Sequence, residues 1–243
     1  MTSSQLPSII VEGISKSFRL RHTHSLKESF LASMQRKPLY TPFQALDDIS
    51  FTVEEGESVA ILGFNGSGKS TLLKLMSGVL RPDTGRVLTR GRVAGLIEVG
   101  AGFHPDLSGR ENVYLNAAIL GMSQKEIDAQ FDDIVAFSEI GDFIESEVKH
   151  YSSGMFMRLA FSVAIHVNLD ILLVDEILSV GDAPFRVKCR DKIAELTSQG
   201  KTLVVVSHDQ NMVRELCTRA IVIRKGKMIY DGCVDDGITL LNE

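Results

Sequence analysis

The stretch Gly63-Phe64-Asn65-Gly66-Ser67-Gly68-Lys69-Ser70 spaces glycines, a lysine and hydroxyls in the pattern G-x-x-x-x-G-K-[ST]. Glycines allow the backbone to wrap closely, with its amide hydrogens turned inward as a nest for an anion. The helix formers from Thr71 to Met76 follow at once, so a helix N-terminus adds positive potential at the same place. Lys69 is then in reach of β- and γ-phosphates, and the Ser70 hydroxyl suits a Mg²⁺ ion. The apolar run Val59 to Leu62 leads in as a buried strand. A Gly/Ser-rich surface turn would need neither flank, so Gly63, Asn65, Gly66, Ser67, Gly68, Lys69, Ser70 and Thr71 are read together as a site for nucleotide phosphates.

Two further apolar runs end in polar residues of catalytic type. Ile171 to Val174 runs into Asp175-Glu176, and Leu203 to Val206 into Ser207-His208. Runs of this length suit strands buried on both faces, as in a parallel sheet covered by helices. Ligands of open α/β sheets bind at the carboxyl ends of the strands, where all three polar sets fall. Asp175 is placed to hold Mg²⁺. Glu176 is placed to act as general base on a water in line with the γ-phosphate, and His208 to sense that phosphate. The plainer alternatives are a solvated carboxylate pair and a surface histidine.

Bulk properties narrow the class. With 243 residues, 44% of them hydrophobic and 23% charged, the chain can bury the core of one large α/β domain. No apolar run approaches a membrane span, and Met1-Thr2-Ser3-Ser4-Gln5 lacks signal-peptide architecture, so a cytoplasmic chain is expected. Cys189, Cys217 and Cys233 are odd in number without C-x-x-C spacing, which indicates neither a disulfide framework nor a zinc site. A net charge of −5 argues against general nucleic-acid binding.

Between the first and second of these elements lies Tyr151-Ser152-Ser153-Gly154-Met155, opening a helical run from Phe156 to Val167. With the phosphate loop, Asp175-Glu176, Ser179-Val180-Gly181-Asp182 and His208, this order resembles the ATPase subunits of ATP-binding-cassette (ABC) transporters over nearly the whole chain. The family's signature usually reads Leu-Ser-Gly-Gly-Gln; here Ser152 and Gly154 are kept, while Ser153 and Met155 depart. The resemblance implies ATP and Mg²⁺ as cofactors. It implies a head-to-tail homodimer in which Ser152, Ser153 and Gly154 contact the γ-phosphate bound to the partner, with Asp182 at the seam. A helix starting after Gly154 would aim free amides at that anion. It also implies adenine stacking by Phe18, for which a small core aromatic is the alternative, and a Mg²⁺- and water-sensing role for Glu98, where the family usually has glutamine.

The phrases Glu98 to Asn112, Tyr151 to Met155 and Val174 to Asp182 resemble the branch that exports O-antigen, capsule and teichoic acid. Ser108-x-x-Glu111 and Ser123-x-x-Glu126 each read as a capping box opening a helix. In the family this helical region receives the permease's coupling helix, which would put a docking groove at Phe103, His104 and Pro105; packing within the region is the alternative. Arg19 to Phe43 is an insertion between Phe18 and the strand Ile49–Val53. From Arg19 to Lys37 it carries five Lys/Arg against one acid, Glu28, with Leu26, Phe30, Leu31 and Met34 at helical spacing. This reads as a basic amphipathic helix against membrane or permease, or as a solvated hairpin.

The expected fold is α/β: a parallel-sheet core of the P-loop NTPase type, an N-terminal antiparallel β region and an inserted helical subdomain. Residues 1–243 would form a single nucleotide-binding domain, with the helical subdomain at about 103–165 and no C-terminal carbohydrate-binding domain. The expected role is the ATP-hydrolysing subunit that powers export of a lipid-linked polysaccharide through a separate permease, peripheral to the cytoplasmic face of the membrane, with no nucleic-acid partner. Export of another lipid or a drug, a non-transport ABC ATPase in repair or translation, and a kinase are the other readings. The last two lack sequence support, because the chain has no heptad insertion or second cassette and does have the Ser152–Gly154 segment.

Overall fold

The computed structural model describes residues 6–21, 40–96, 100–175 and 182–242. Strands β1 (Pro7–Arg21), β2 (Tyr40–Glu54) and β4 (Thr84–Thr89) form an antiparallel sheet of order β2-β1-β4. The second sheet has six strands: β3 (Ser58–Leu62), β5 (Val93–Leu96), β6 (Ile171–Val174), β7 (Thr202–Val206), β8 (Arg219–Arg224) and β9 (Lys227–Cys233). Its order is β5-β6-β7-β3-β8-β9, parallel throughout except for the β8/β9 hairpin at one edge.

The continuous apolar runs are explained by what covers each face. Along β3, Ala60 and Leu62 enter one core cluster while Val59 and Ile61 enter another. The same alternation sends Leu172, Val174, Leu203 and Val205 to the first cluster and Ile171, Leu173, Val204 and Val206 to the second. A strand sandwiched between two cores has no polar face, so period-2 alternation disappears from its sequence.

The second cluster holds α1 (Lys69–Met76) between the sheets through Leu72, Leu73, Leu75 and Met76. Eight residues are too few for a helix to persist alone in water. Burial of those four side chains, each contributing on the order of 1.5–3 kcal/mol, holds it instead.

The region from Gly100 to Val167 builds its own core from α2 (Gly109–Ile119), α3 (Gln124–Ser138) and α4 (Ser153–His166). Both capping boxes form. Ser108 N donates to Glu111 Oε2 at 2.8 Å, Ser123 N donates to Glu126 Oε2 at 2.7 Å, and each serine oxygen accepts from the amide three residues on. Helix α4 serves two cores at once: Leu159 and Val163 face α2 and α3, while Phe161, Ala164 and Ile165 face the main sheet. Behind that sheet lie α5 (Ala183–Ser198), α6 (Gln210–Leu216) and α7 (Val234–Asn242). Among the described residues no helix is long and apolar enough to cross a membrane.

Two expectations are corrected. The N-terminal strands are longer than Ile9–Val11 and Ile49–Val53, because pairing continues through Arg19↔Pro42 to Arg21↔Tyr40. The ends of the 19–43 insertion are therefore a β-ladder; Leu26, Phe30, Leu31 and Met34 lie outside the described residues. Helix α4 also begins at Ser153 rather than Phe156, since Ser152 accepts from Met155 N at 3.1 Å and caps the helix a turn earlier.

Asp83 fastens β1 where its register slips between Lys16 and Ser17. It accepts from Lys16 Nζ at 2.7 Å, Ser17 N at 2.7 Å and Ser17 Oγ at 2.9 Å. These bonds, Lys16 first, favour the ionised carboxylate and lower its pKa from 3.8 to about 2. A depressed carboxyl pKa stabilises the fold above the unfolded value and loses that contribution as pH falls through the folded one. The stability difference between wild type and Asp83→Asn is therefore expected to be full above about pH 5 and to shrink between about pH 4 and pH 2. Urea midpoints measured across that range check this, and a gap that stays constant would contradict it.

Candidate functional site

The phosphate loop bridges β3 and α1, and two of its glycines, Gly63 and Gly68, are required by contact. A Cβ on Gly63 would collide with the Ile223 carbonyl and the Ser67 side chain. At Gly68, φ is 113° and a Cβ would sit 2.5 Å from Ala45 O. The loop is thus squeezed between β2 and β8, and only glycine leaves the backbone free to line the hollow. Lys69 is buried, and its Nζ donates to Gly63 O at 2.8 Å and Phe64 O at 3.2 Å across the loop.

The start of α1 differs from those of α2 to α6 in one electrostatic respect. Ser108, Ser123, Ser152, Asp182 and Asp209 each cap a helix with a side-chain oxygen. Helix α1 begins at Gly68 with no side-chain cap and no acidic residue in its first turn. Its leading amides and the positive end of its dipole are left to an outside acceptor. Within the same loop the Ser67 hydroxyl is buried with no hydrogen-bond partner among the described residues. The glycine cradle, uncapped amides and orphan hydroxyl together fit a phosphate chain. Ser70 in the first turn and Asp175 at the end of β6 offer the hard oxygen donors that Mg²⁺ takes alongside water and phosphate oxygens.

The strand ends converge on this loop. Strands β6, β7 and β3 are consecutive neighbours, so Asp175, His208 and the loop leave the same edge of the sheet. His208 Nε2 lies 3.1 Å from Asn65 Oδ1, which joins the third strand end directly to the loop. Thr71 follows Ser70 within α1.

Phe18 belongs to the other sheet, opposite Phe43, and is 36% exposed. It belongs to none of the core clusters, so the core-aromatic alternative does not hold. Lys16 Nζ lies 5.9 Å from its ring centroid, and Ala45, two residues beyond Phe43, touches Gly68. Sequence reasoning missed Asp83, which anchors the residue preceding Phe18; no local pattern marks an acid 66 positions away.

Ser152, Ser153 and Gly154 sit at the start of α4, and among the described residues no hydrogen bond ties them to the phosphate loop. Ser152 uses its oxygen as the cap, which leaves the hydroxyl proton to donate elsewhere. Asp182 caps α5 by accepting from Phe185 N at 3.4 Å and also accepts from Arg158 Nη2 at 2.7 Å. Partial burial raises its pKa, but the Arg158 bond and charge outweigh that and leave it lowered. Arg158, a second residue the sequence did not single out, also bonds Glu139 at 2.8 Å and stacks 4.9 Å from the Phe185 ring. It locks the 152–154 segment to the start of α5. Glu98, Glu176 and Ser179 to Gly181 lie outside the described residues.

Phe103 packs edge-on against Phe156 at 5.2 Å, and His104 N donates to Asn112 Oδ1 at 2.7 Å. Phe103 thus packs within the helical region, while His104 and Pro105 are exposed. The neighbouring concavity is lined by Val79, Gly95, Ala101, Ile119 and Ala160, with Val79 and Ile119 largely exposed.

Residues 46–179 match the family model described as ABC transporter. The "ABC transporter protein AbcA" of Aeromonas salmonicida is 47% identical over 226 residues, 93% of this chain and 73% of that protein. The "O-antigen export system ATP-binding protein RfbB" of Klebsiella pneumoniae is 46% identical over 201 residues, 83% of this chain and 82% of that one. The "Teichoic acids export ATP-binding protein TagH" of Levilactobacillus brevis is 44% identical over 229 residues, 90% of this chain and 63% of that one. Among solved structures, the dimeric ATP-binding cassette MJ0796 bound to ADP and Pi shares the fold at a TM-score of 0.73 and 22% identity, covering 93% of this chain and 98% of that one. By the family match and the identity to these relatives, the chain belongs to the ABC transporter ATPase family.

Proposed function

We propose that this chain is the ATP-hydrolysing subunit of an exporter that moves a lipid-linked polysaccharide, such as O-antigen, capsule or teichoic acid, through a separate membrane permease. The observation that carries the ATPase half is the uncapped, glycine-lined loop onto which three strand ends converge. The cargo rests on relatives named for O-antigen and teichoic-acid export.

In this reading the amides of Gly66, Gly68, Lys69 and Ser70 hold the phosphates, with Gly63 making room for the loop and Thr71 completing the set. Lys69 exchanges its two carbonyl partners for β- and γ-phosphate oxygens. Ser70 and Asp175, with Glu98, would hold Mg²⁺, which would supply positive charge against the phosphates. Glu176 accepts the proton of the attacking water as its oxygen bonds to Pγ and the bond to the β–γ bridging oxygen breaks, releasing ADP and phosphate. His208 donates to the γ-phosphate, its ring oriented by Asn65. Phe18 supplies an aromatic face for adenine, steadied by Asp83 through Ser17.

A second copy completes the site. Ser152, Ser153 and Gly154 at the start of α4 supply donors to the γ-phosphate bound by the partner, with Asp182 at the seam. Residues 1–243 work as one ATPase unit whose helical subdomain, at about 103–165, takes up the permease. The permease helix seats on the exposed His104 and Pro105 beside Phe103, or in the apolar concavity at Val79 and Ile119. The chain is held at the cytoplasmic face through that contact, and the basic and apolar residues of the 19–43 insertion serve export there.

Replacing Glu176 by Gln should leave ATP binding intact and slow hydrolysis on the order of 10²-fold or more, measured by phosphate release from the purified protein. Near-normal turnover would remove Glu176 from the mechanism. Replacing Leu26 and Phe30 by Ser should impair glycan export in cells while purified ATPase activity survives. Unchanged export would overturn the role given to the insertion.

A further inference from the structure

The β8/β9 hairpin breaks a local rule beside the phosphate loop. Arg224 pairs with Lys227, so Lys225 and Gly226 are the two residues of the turn, with φ of 51° and 79°. Two-residue turns with both central residues at positive φ are type I′ and favour Asn or Asp before Gly. Those side chains tolerate the left-handed region through local hydrogen bonds, which a lysine cannot make in the same way. A residue that departs from its turn's chemistry next to a ligand recess calls for a role there.

The turn is clamped onto the loop. Gly226 N donates to Ser67 O at 2.9 Å, and Gly226 O accepts from Asp47 N at 2.8 Å. Arg224 and Lys225 form one wall of a recess of about 450 Å³ whose other wall is Phe64, Asn65, Gly66 and Ser67. That size is within the range of small-molecule sites. The neighbouring cations are engaged: Arg224 Nη2 donates to Leu240 O at 3.1 Å, and Lys227 Nζ pairs with Asp47 at 3.2 Å. Lys225 is exposed and has no ion pair or hydrogen bond among the described residues.

We infer that Lys225 is a second phosphate-facing cation, whose ammonium binds the polyphosphate of ATP from the side of the recess opposite the phosphate loop. This rests on the ATP-binding reading above. The ammonium acts as a point charge, so it raises nucleotide affinity in a salt-dependent way and takes no part in bond breaking.

Lys225→Asn separates this role from a structural one, because Asn suits the turn better than Lys does. Titration of the purified protein with a fluorescent ATP analogue at low and high salt, alongside thermal unfolding without nucleotide, reads both. The variant should unfold at the same temperature as wild type or higher, bind about three- to tenfold more weakly, and show a shallower salt dependence. Lys225→Arg should bind like wild type. Equal affinity and equal salt dependence in wild type and Lys225→Asn would overturn the inference, as would Lys225→Arg binding as weakly as Lys225→Asn. If wild type itself failed to bind ATP, the underlying reading would fall instead.

Discussion

The tight fit of the phosphate loop between two sheets is the constraint on which the rest of this structure depends. Gly63 lies against the carbonyl of Ile223 on β8, and Gly68 against that of Ala45 on β2. The backbone must pass both walls and still leave the start of α1 without a side-chain cap. Two consequences follow for the sequence around it. The strand that delivers the loop must be buried on both faces, which explains the unbroken apolar run before Gly63. The helix that leaves it must be held by packing, because its first turn cannot use the side-chain cap that stabilises its neighbours.

A division of electrostatic labour accompanies that geometry. Elsewhere the chain satisfies its own helix ends, at Ser108, Ser123, Ser152, Asp182 and Asp209. At α1 it does not, and the loop instead has Lys69 bound to its carbonyls, Lys225 across the recess and Asp175 at the end of β6. The signature segment stands apart in one copy of the chain. It is tied by Arg158 and Asp182 to the start of α5. Arg158 thereby couples α4 to the start of α5.

Much of this was legible in the sequence where the signal is local. The phosphate loop, the strands before Asp175 and His208, and both capping boxes depend on residues within a few positions of one another, and periodicity or spacing reads such features. The start of α4 was misjudged because Ser153 and Gly154 look like loop residues until Ser152 is seen as a cap. The length of β1 and β2 was hidden because Tyr40 to Phe43, paired with Phe18 to Arg21, are all exposed and carry no alternating pattern. Asp83 and Arg158 could not be found at all from spacing. Their partners are 66 and 24 residues away, and only the packed sheet and helices bring them together.

The central claim is that this ATPase serves a permease that carries a lipid-linked polysaccharide. Purifying the tagged protein from its native host membranes in mild detergent, and identifying by mass spectrometry what accompanies it, tests that claim most directly. The account predicts a multi-span permease with a polyprenyl-linked glycan. Ribosomes or DNA with no membrane partner would contradict it.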